Sequence, residues 1–173
     1  MNEVIKNLIE RRSVRKYKDT MVPKEIIEEI IKAGTYAPTG MNRQSPIIIA
    51  VTNKELRDKL SKLNASYLGI DTDPFYNAPV VLMVLADKNV PTAIYDGSLV
   101  MGNLMNAAYS LGIGSCWIHR AKDLFDNKEG KELLESLGIK GDYEGIGNCI
   151  LGYVDMEIKE GRPRKENYVY YID

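Results

Sequence analysis

The chain has 173 residues, 45% hydrophobic and 27% charged, which is enough for one domain with a substantial core. Its formal net charge of −1 argues against a nucleic-acid partner, which normally requires a basic face. Two cysteines cannot form a disulfide framework and a single histidine argues against a zinc site, so we predict no metal centre.

Apolar side chains at helical spacing predict the helices of the chain. The predicted helices cover residues 2–10, a segment from Pro23 to about Gly34, residues 53–63 and 94–111, and a charged stretch over 128–137. The helix over 94–111 is apolar on nearly every side, which predicts burial on more than one face. A chain of this size can hardly enclose such a helix alone, so we expect a second subunit to cover one face.

Short apolar runs predict four strands, at residues 47–52, 80–86, 115–118 and 146–153. Residues 39–46 and 64–79 have the polar, turn-rich composition of loops. Helices and strands interleave without a strict βαβ alternation, which favours an α+β fold with a single domain over residues 1–173. The polar tail over 154–173 ends in Tyr-Val-Tyr-Tyr-Ile at 168–172, which has strand composition.

Residues 97–119 form an uncharged stretch that is long enough to cross a membrane. The stretch contains Asn103 and Asn106, whose amides would be costly inside lipid, so a buried helix is the better interpretation. The first twelve residues are amphipathic and charged, unlike a signal peptide. We therefore expect a cytoplasmic protein without a membrane partner.

Five of the eight residues at 11–18 are basic, none is acidic, and the Ser13 hydroxyl lies among them. Guanidinium groups offer planar forks of donors, so this segment suits a small phosphate group. The alternative interpretation is a solvated run of charge. The glycine-rich nucleotide motifs and the Gly-x-Ser-x-Gly motif are absent. A chain without an obvious nucleophile or metal cluster is typical of proteins that obtain their chemistry from an organic cofactor.

Four segments, in order, resemble the nitroreductase family of FMN-dependent oxidoreductases. They are residues 11–17, 37–46, 111–118 and 151–153, and the resemblance covers essentially the whole chain. The resemblance implies a nitroreductase-like three-layer α+β fold, with a central mixed or antiparallel sheet flanked by helices. It also implies a domain-swapped homodimer with two FMN sites at the subunit interface. Residues 154–173 would then be a C-terminal arm that reaches the partner subunit.

The resemblance also assigns residues to the cofactor. The phosphate, ribityl chain and pyrimidine edge of one flavin would be held by Arg11, Arg12, Ser13 and Arg15. The other subunit would contribute Pro38, Thr39, Gly40 and Asn42, with Gln44 beside that loop. The isoalloxazine ring would be lined by Trp117, Ile118 and His119, and the phosphate would also be reached by Arg162 and Arg164.

The implied activity is a two-electron, ping-pong reduction of electron-poor acceptors such as nitroaromatics or quinones by NADH or NADPH. Many members of the family have glycine or an acidic residue where His119 and Arg120 stand here. His119 is the one candidate catalytic residue, as a proton donor, and the alternative is that it only shapes the pocket or forms a hydrogen bond nearby. Two other hypotheses remain open: a flavin-binding or sensor protein without turnover, and a small anion- or phosphopeptide-binding domain.

Overall fold

The computed structural model describes residues 1–172. Its α-helices are α1 (Glu3–Glu10), α2 (Lys24–Thr35), α3 (Lys54–Leu68), α4 (Ala93–Ser110), α5 (Ala121–Asp126) and α6 (Lys128–Ser136). Its strands are β1 (Pro46–Val51), β2 (Val80–Asp87), β3 (Gly114–Ile118) and β4 (Tyr143–Gly152). All four predicted strands and the five predicted helical segments are present.

The four strands form one sheet in the order β1-β2-β4-β3, and every neighbouring pair is antiparallel. Helices α2 and α4 pack on one face, and α3, α5 and α6 pack on the other. This arrangement confirms the predicted three-layer α+β fold, with the antiparallel rather than the mixed form of the sheet.

The central strand β2 explains why its sequence is a continuous apolar run instead of an alternating one. Successive side chains of a strand point to opposite faces of the sheet. Val80, Leu82 and Val84 therefore pack against the α2 and α4 layer, while Val81 and Met83 pack against the α3 and α5 layer. Both faces are covered along residues 80–86, so each of these positions is apolar.

The structure corrects only the first part of the predicted loop at residues 64–79: residues 64–68 are helical, whereas residues 69–79 form no helix or strand. Helix α3 continues to Leu68 and ends at Gly69, which adopts a left-handed conformation with φ of 66°. Asn64 and Ala65 are buried members of that helix. The polar composition was misleading because an asparagine within a helix can be buried when its amide finds a partner in the fold. The short helix α5 was not predicted, since six residues carry too little periodicity.

The remainder of that segment is held by Arg57, a buried side chain of α3. Its guanidinium forms an ion pair with Asp73, donates a hydrogen bond of 2.9 Å from Nε to the Ala78 carbonyl, and lies over the Phe75 ring. Burial alone would raise the pKa of Asp73, but hydrogen bonds from Ser61, Arg57 and two backbone N–H groups hold it below its ordinary value. The network therefore ties the chain after α3 to the body of the helix.

Replacing Asp73 by alanine should lower the free energy of unfolding by about 2–3 kcal/mol, because the buried Arg57 guanidinium loses its ion pair with Asp73 and keeps only the one with Asp58. Chemical denaturation of both proteins measures this difference. Lys54→Ala is the matched control: its ion pair with Asp58 is exposed and should contribute less than about 1 kcal/mol. Because the folded pKa is lowered, the Asp73 contribution is present above the unfolded value, about 3.9, and is lost as the pH falls through the folded value. Equal losses in the two variants would contradict this account.

Two helices leave apolar side chains exposed in the single chain. Ile94, Tyr95 and Leu99 of α4 are exposed, and so is the whole apolar face of α1. Within residues 1–172, none of the helices combines the length and apolarity that a bilayer span requires.

The described part of the tail after β4 contains no helix or named strand, and it has a turn at residues 166–167. Residues 168–172 form no strand within the chain, and all five side chains are exposed. The prediction that this segment pairs with a partner subunit stays a prediction.

Candidate functional site

Backbone pairing brings the basic N-terminal segment alongside the start of the tail. The Val14 N–H donates a hydrogen bond of 2.9 Å to the Ser115 carbonyl of β3, and the Lys18 N–H donates one of 2.9 Å to the Tyr153 carbonyl. Val14 and Tyr17 are buried, and the Tyr17 hydroxyl donates to the Val14 carbonyl at 2.7 Å. Burial raises the pKa of Tyr17 well above its ordinary value, so this hydroxyl stays protonated. The pairing leaves the side chains of Arg11 and Arg15 free to face the tail.

These two segments enclose a cleft of about 480 Å³ with six basic side chains and one acidic side chain, Glu160. The residues that line it include Arg11, Arg12, Ser13, Arg15, Lys159, Arg162 and Arg164. Among residues 1–172, none of the five arginines of the cleft forms an ion pair. The cleft is therefore a concentration of uncompensated positive charge in a chain that is almost neutral overall.

Arg11 and Arg12 have different surroundings. Nη1 of Arg11 is buried and has no hydrogen-bond partner among the described residues, so a donor in the cleft wall is unsatisfied. Nη1 of Arg12 donates to the Ile9 and Arg11 carbonyls, at 2.6 and 2.8 Å, at the end of α1. Gly161 packs directly against the Arg12 guanidinium, where any larger residue would collide with it. Arg12 thus joins the helix end to the tail, whereas Arg11 has a donor available for an anion.

The loop after α2 forms a separate part of the structure. It contains the predicted site residues Pro38, Thr39, Gly40, Asn42 and Gln44, and it lies beside the N-terminal turn of α4 rather than in the basic cleft. The Gln44 N–H donates a hydrogen bond of 3.1 Å to the Thr39 hydroxyl. The loop includes a 3₁₀ turn over Gly40–Asn42, and both Asn42 and Gln44 have positive φ angles.

The end of β3 is fixed by two buried amides. The His119 carbonyl accepts a hydrogen bond of 2.8 Å from Asn64 of α3 and one of 3.2 Å from Asn148 of β4. Arg120 follows with φ of 73°, a conformation that is uncommon for a residue other than glycine. The His119 side chain is exposed, and its ring lies 6.2 Å from the Trp117 ring. Indole Nε1 of Trp117 is buried without a hydrogen-bond partner among the described residues.

The structure therefore brings together one group of the predicted site residues and leaves two groups apart. The basic and hydroxyl residues of both chain ends share the cleft. The loop at 38–44 and the strand end at 117–119 do not line it. Within the single chain, the three groups therefore do not form one continuous site.

Three residues that position these groups were missed from the sequence. They are Asn64 and Asn148, which donate to the His119 carbonyl, and Asp96, which accepts a hydrogen bond of 2.9 Å from the Gly40 N–H. Of the three, Asp96 has the clearest signal in the sequence, because it is an isolated acidic residue immediately before the uncharged stretch at 97–119. Asn148 lies within the apolar run that predicts the strand at 146–153, which is a weaker signal of a buried polar contact. Asn64 carried no signal, because it was assigned to a loop.

Comparisons with known proteins agree with the resemblance. The family model described as the nitroreductase family matches residues 8–157. The FMN reductase [NAD(P)H] of Bacillus subtilis is 30% identical over 184 residues, which cover 96% of this chain and 72% of the relative. A nitroreductase with bound FMN from Bacteroides fragilis superposes with a TM-score of 0.90 at 27% identity, and one from Desulfitobacterium hafniense with a TM-score of 0.89 at 27% identity. Both superpositions cover 100% of each chain.

Proposed function

We propose that this chain, which belongs to the nitroreductase family, is an FMN-dependent oxidoreductase that transfers two electrons from NADH or NADPH to electron-poor acceptors such as nitroaromatics or quinones. The observation that carries the proposal is the cleft of uncompensated guanidinium groups with the unsatisfied donor of Arg11 in its wall. The FMN reductase similar to this chain and the FMN-bound structures support the choice of cofactor.

The residues of the cleft fit the phosphate group of FMN. That phosphate is a dianion at neutral pH, and several charge-assisted hydrogen bonds are needed to hold it without water. Arg11 and Arg15 would bind it from the N-terminal segment, with Arg162 and Arg164 from the tail. The Ser13 hydroxyl would add one hydrogen bond. When bound, the flavin would supply the redox chemistry, which is the transfer of two electrons from the nicotinamide donor to the acceptor.

The strand end after β3 would lie along the flavin ring. Its backbone is held at a fixed position by the amides of Asn64 and Asn148, so the N–H groups of residues 118–120 are ordered before any ligand arrives. Preorganised donors of this kind need no rearrangement during a reaction. The side chains of His119 and Arg120 would border the space for the acceptor.

We also propose that the active form is a homodimer. The exposed apolar face of α1 and the side chains of Ile94, Tyr95 and Leu99 on α4 would be covered by the second copy. Exposed apolar surface of this extent is unusual in a monomer. A dimer would also bring the loop at 38–44 of one subunit to the flavin of the other, which explains why the loop and the cleft lie apart in one chain.

Among the described residues, two sheet edges are candidates for pairing with residues 168–172 of the arm, one at β1 and one at β3. The outer edge of β3 is partly occupied by the bridge between Ser13 and Ser115, whereas β1 has a neighbour on one side only. An apolar groove of about 490 Å³, which includes Met21, Ile27 and Ile31, runs beside β1. We therefore propose that the Tyr-rich arm of one subunit adds a strand to β1 of its partner, with alternate side chains in that groove.

Steady-state kinetics with NADH or NADPH and a quinone test the proposed activity. An enzyme that uses one pocket for donor and acceptor in turn gives parallel lines in double-reciprocal plots, the ping-pong pattern. Flavin that stays bound without any turnover would instead favour a sensor or storage protein.

The side chains at 119 and 120 should influence the acceptor half of the reaction. We expect Arg120→Ala to lower kcat/KM for an anionic acceptor by about tenfold, the effect of one lost charge-assisted contact, with little change for a neutral quinone. We expect His119→Gln to lower kcat and to alter its pH dependence if the imidazole donates a proton.

The matched control is Lys122→Ala, which removes a basic residue in the first turn of α5 that is paired with Asp126 on the surface. It should leave all acceptor kinetics unchanged. Unaltered acceptor kinetics in both site variants, with full FMN content, would mean that only the backbone at 118–120 contributes.

A further inference from the structure

Asp96 is a buried carboxylate for which the fold supplies hydrogen-bond donors instead of a cation. It lies in the first turn of α4 and is only 2% exposed. Among residues 1–172, no basic side chain forms an ion pair with it. A buried charge without a counter-charge is costly, so its presence needs a compensating set of hydrogen bonds.

Those hydrogen bonds come mainly from the two ends of one loop. Oδ1 of Asp96 accepts from the Gly40 N–H at 2.9 Å, and Oδ2 accepts from the Ser45 hydroxyl at 3.0 Å. The Thr92 hydroxyl, just before α4, also donates to Oδ2 at 2.9 Å. A side chain at position 40 would collide with Thr92, so the loop lies directly on the start of the helix. One carboxylate thus closes residues 40–45 into a fixed shape.

The shape that it holds is strained. Met41, Asn42 and Gln44 have φ angles of 53°, 53° and 50°, although none of them is glycine. Residues in this conformation persist only where the surrounding structure determines it, and such positions cluster at ligand sites. The Asn42 and Gln44 amides also contact each other at 3.3 Å, so their side chains are oriented together.

We propose that Asp96 is a positioning residue: by binding both ends of the loop at 40–45, it holds Asn42 and Gln44 in the orientation that contacts the flavin of the partner subunit. This inference rests on the proposed FMN site between two subunits. It adds to that site a residue that touches no cofactor atom and acts only through the loop. A carboxylate suits this role because it accepts from three donors at once, which an apolar residue cannot do.

Two measurements on Asp96→Ala, made on the full-length protein, test the inference. Hydrogen–deuterium exchange of the amides at 39–45 should become faster, because the Gly40 N–H loses its acceptor. The dissociation constant of FMN, titrated into the flavin-free protein, should rise by about ten- to a hundredfold. Asp96→Asn should restore most of both properties, because its amide oxygen can accept from Gly40 while its NH₂ group donates to a hydroxyl.

Val100→Ala is the matched control, since Val100 is buried one turn further along α4 and belongs to the apolar core formed with α2 and β2. It should lower thermal stability but leave exchange at 39–45 and FMN affinity unchanged. If Asp96→Ala does not fold, Ser45→Ala should show the same two changes in weaker form.

Wild-type exchange at 39–45 in the folded alanine variant, or FMN affinity equal to that of the wild type, would overturn the positioning role. An equal loss of FMN affinity in Val100→Ala would overturn it as well, since the effect would then follow stability alone. Absence of FMN binding by the wild-type protein is a different result, which would refute the proposed function itself.

Discussion

Replacing Arg11 by alanine should weaken FMN binding by about ten- to a hundredfold, because one charge-assisted contact to the phosphate contributes roughly 1.5–3 kcal/mol. Arg11 is the most informative residue of the cleft to replace, since its Nη1 is buried and has no hydrogen-bond partner among the described residues. Arg164→Ala should have a similar effect from the tail. Titration of FMN into the flavin-free proteins, followed by flavin fluorescence, measures the change.

Lys16→Ala is the control for these two variants. Lys16 belongs to the same basic segment, but it does not line the cleft and is paired on the surface with Asp155 at 3.0 Å. Its removal should leave FMN affinity unchanged. The phosphate assignment is wrong if Arg11→Ala and Arg164→Ala keep their full flavin content after dialysis. Binding of FAD as tight as that of FMN would also count against it.

Truncation after Pro163 should give the second large effect, because it removes both a phosphate contact and the proposed arm. Loss of the apolar residues at 168–172 should raise the dimer dissociation constant by about a hundredfold or more, which corresponds to roughly 3 kcal/mol of lost association energy. Loss of Arg164 should reduce flavin retention at the same time. Sedimentation velocity at several concentrations, with flavin absorption as a second signal, follows both properties.

A truncation after Glu166 separates the two contributions. This variant keeps Arg164 but lacks residues 168–172. It should therefore dissociate into subunits as readily as the shorter chain at equal protein concentration. Any flavin that it loses must then follow from the loss of the partner subunit. A wild-type sedimentation coefficient for the variant truncated after Pro163 would contradict the arm. A flavin-loaded wild-type monomer at low concentration would contradict the homodimer.

The layered fold could be predicted largely because the helices and strands of each layer produce a local pattern of apolar residues in the sequence. The run of β2 shows no alternation, and the structure explains this by its burial on both faces. The extension of α3 through Asn64 could not be predicted, because that residue looks polar in the sequence and is buried only through its contact with the His119 carbonyl. Contacts over long sequence separations of this kind decide where a polar side chain belongs.

The site was predictable only in part, for a related reason. The basic residues at 11–15 and 162–164 are separated by most of the chain, and the family resemblance connected them. The structure adds the physical cause, which is backbone pairing of residues 14–18 with β3 and with the start of the tail. Asp96, Asn64 and Asn148 carry no motif. Their roles follow from hydrogen bonds that exist only once the helices and strands are assembled.

The absorption spectrum of the purified protein tests the central claim most directly. A sample saturated with FMN and then freed of excess ligand should be yellow, with oxidised-flavin bands and about one FMN for each chain. Addition of NADH or NADPH without oxygen should bleach those bands, and a quinone should restore them. A colourless protein that takes up inorganic phosphate but no FMN would contradict the claim and would leave the arginine cleft as a simple anion site.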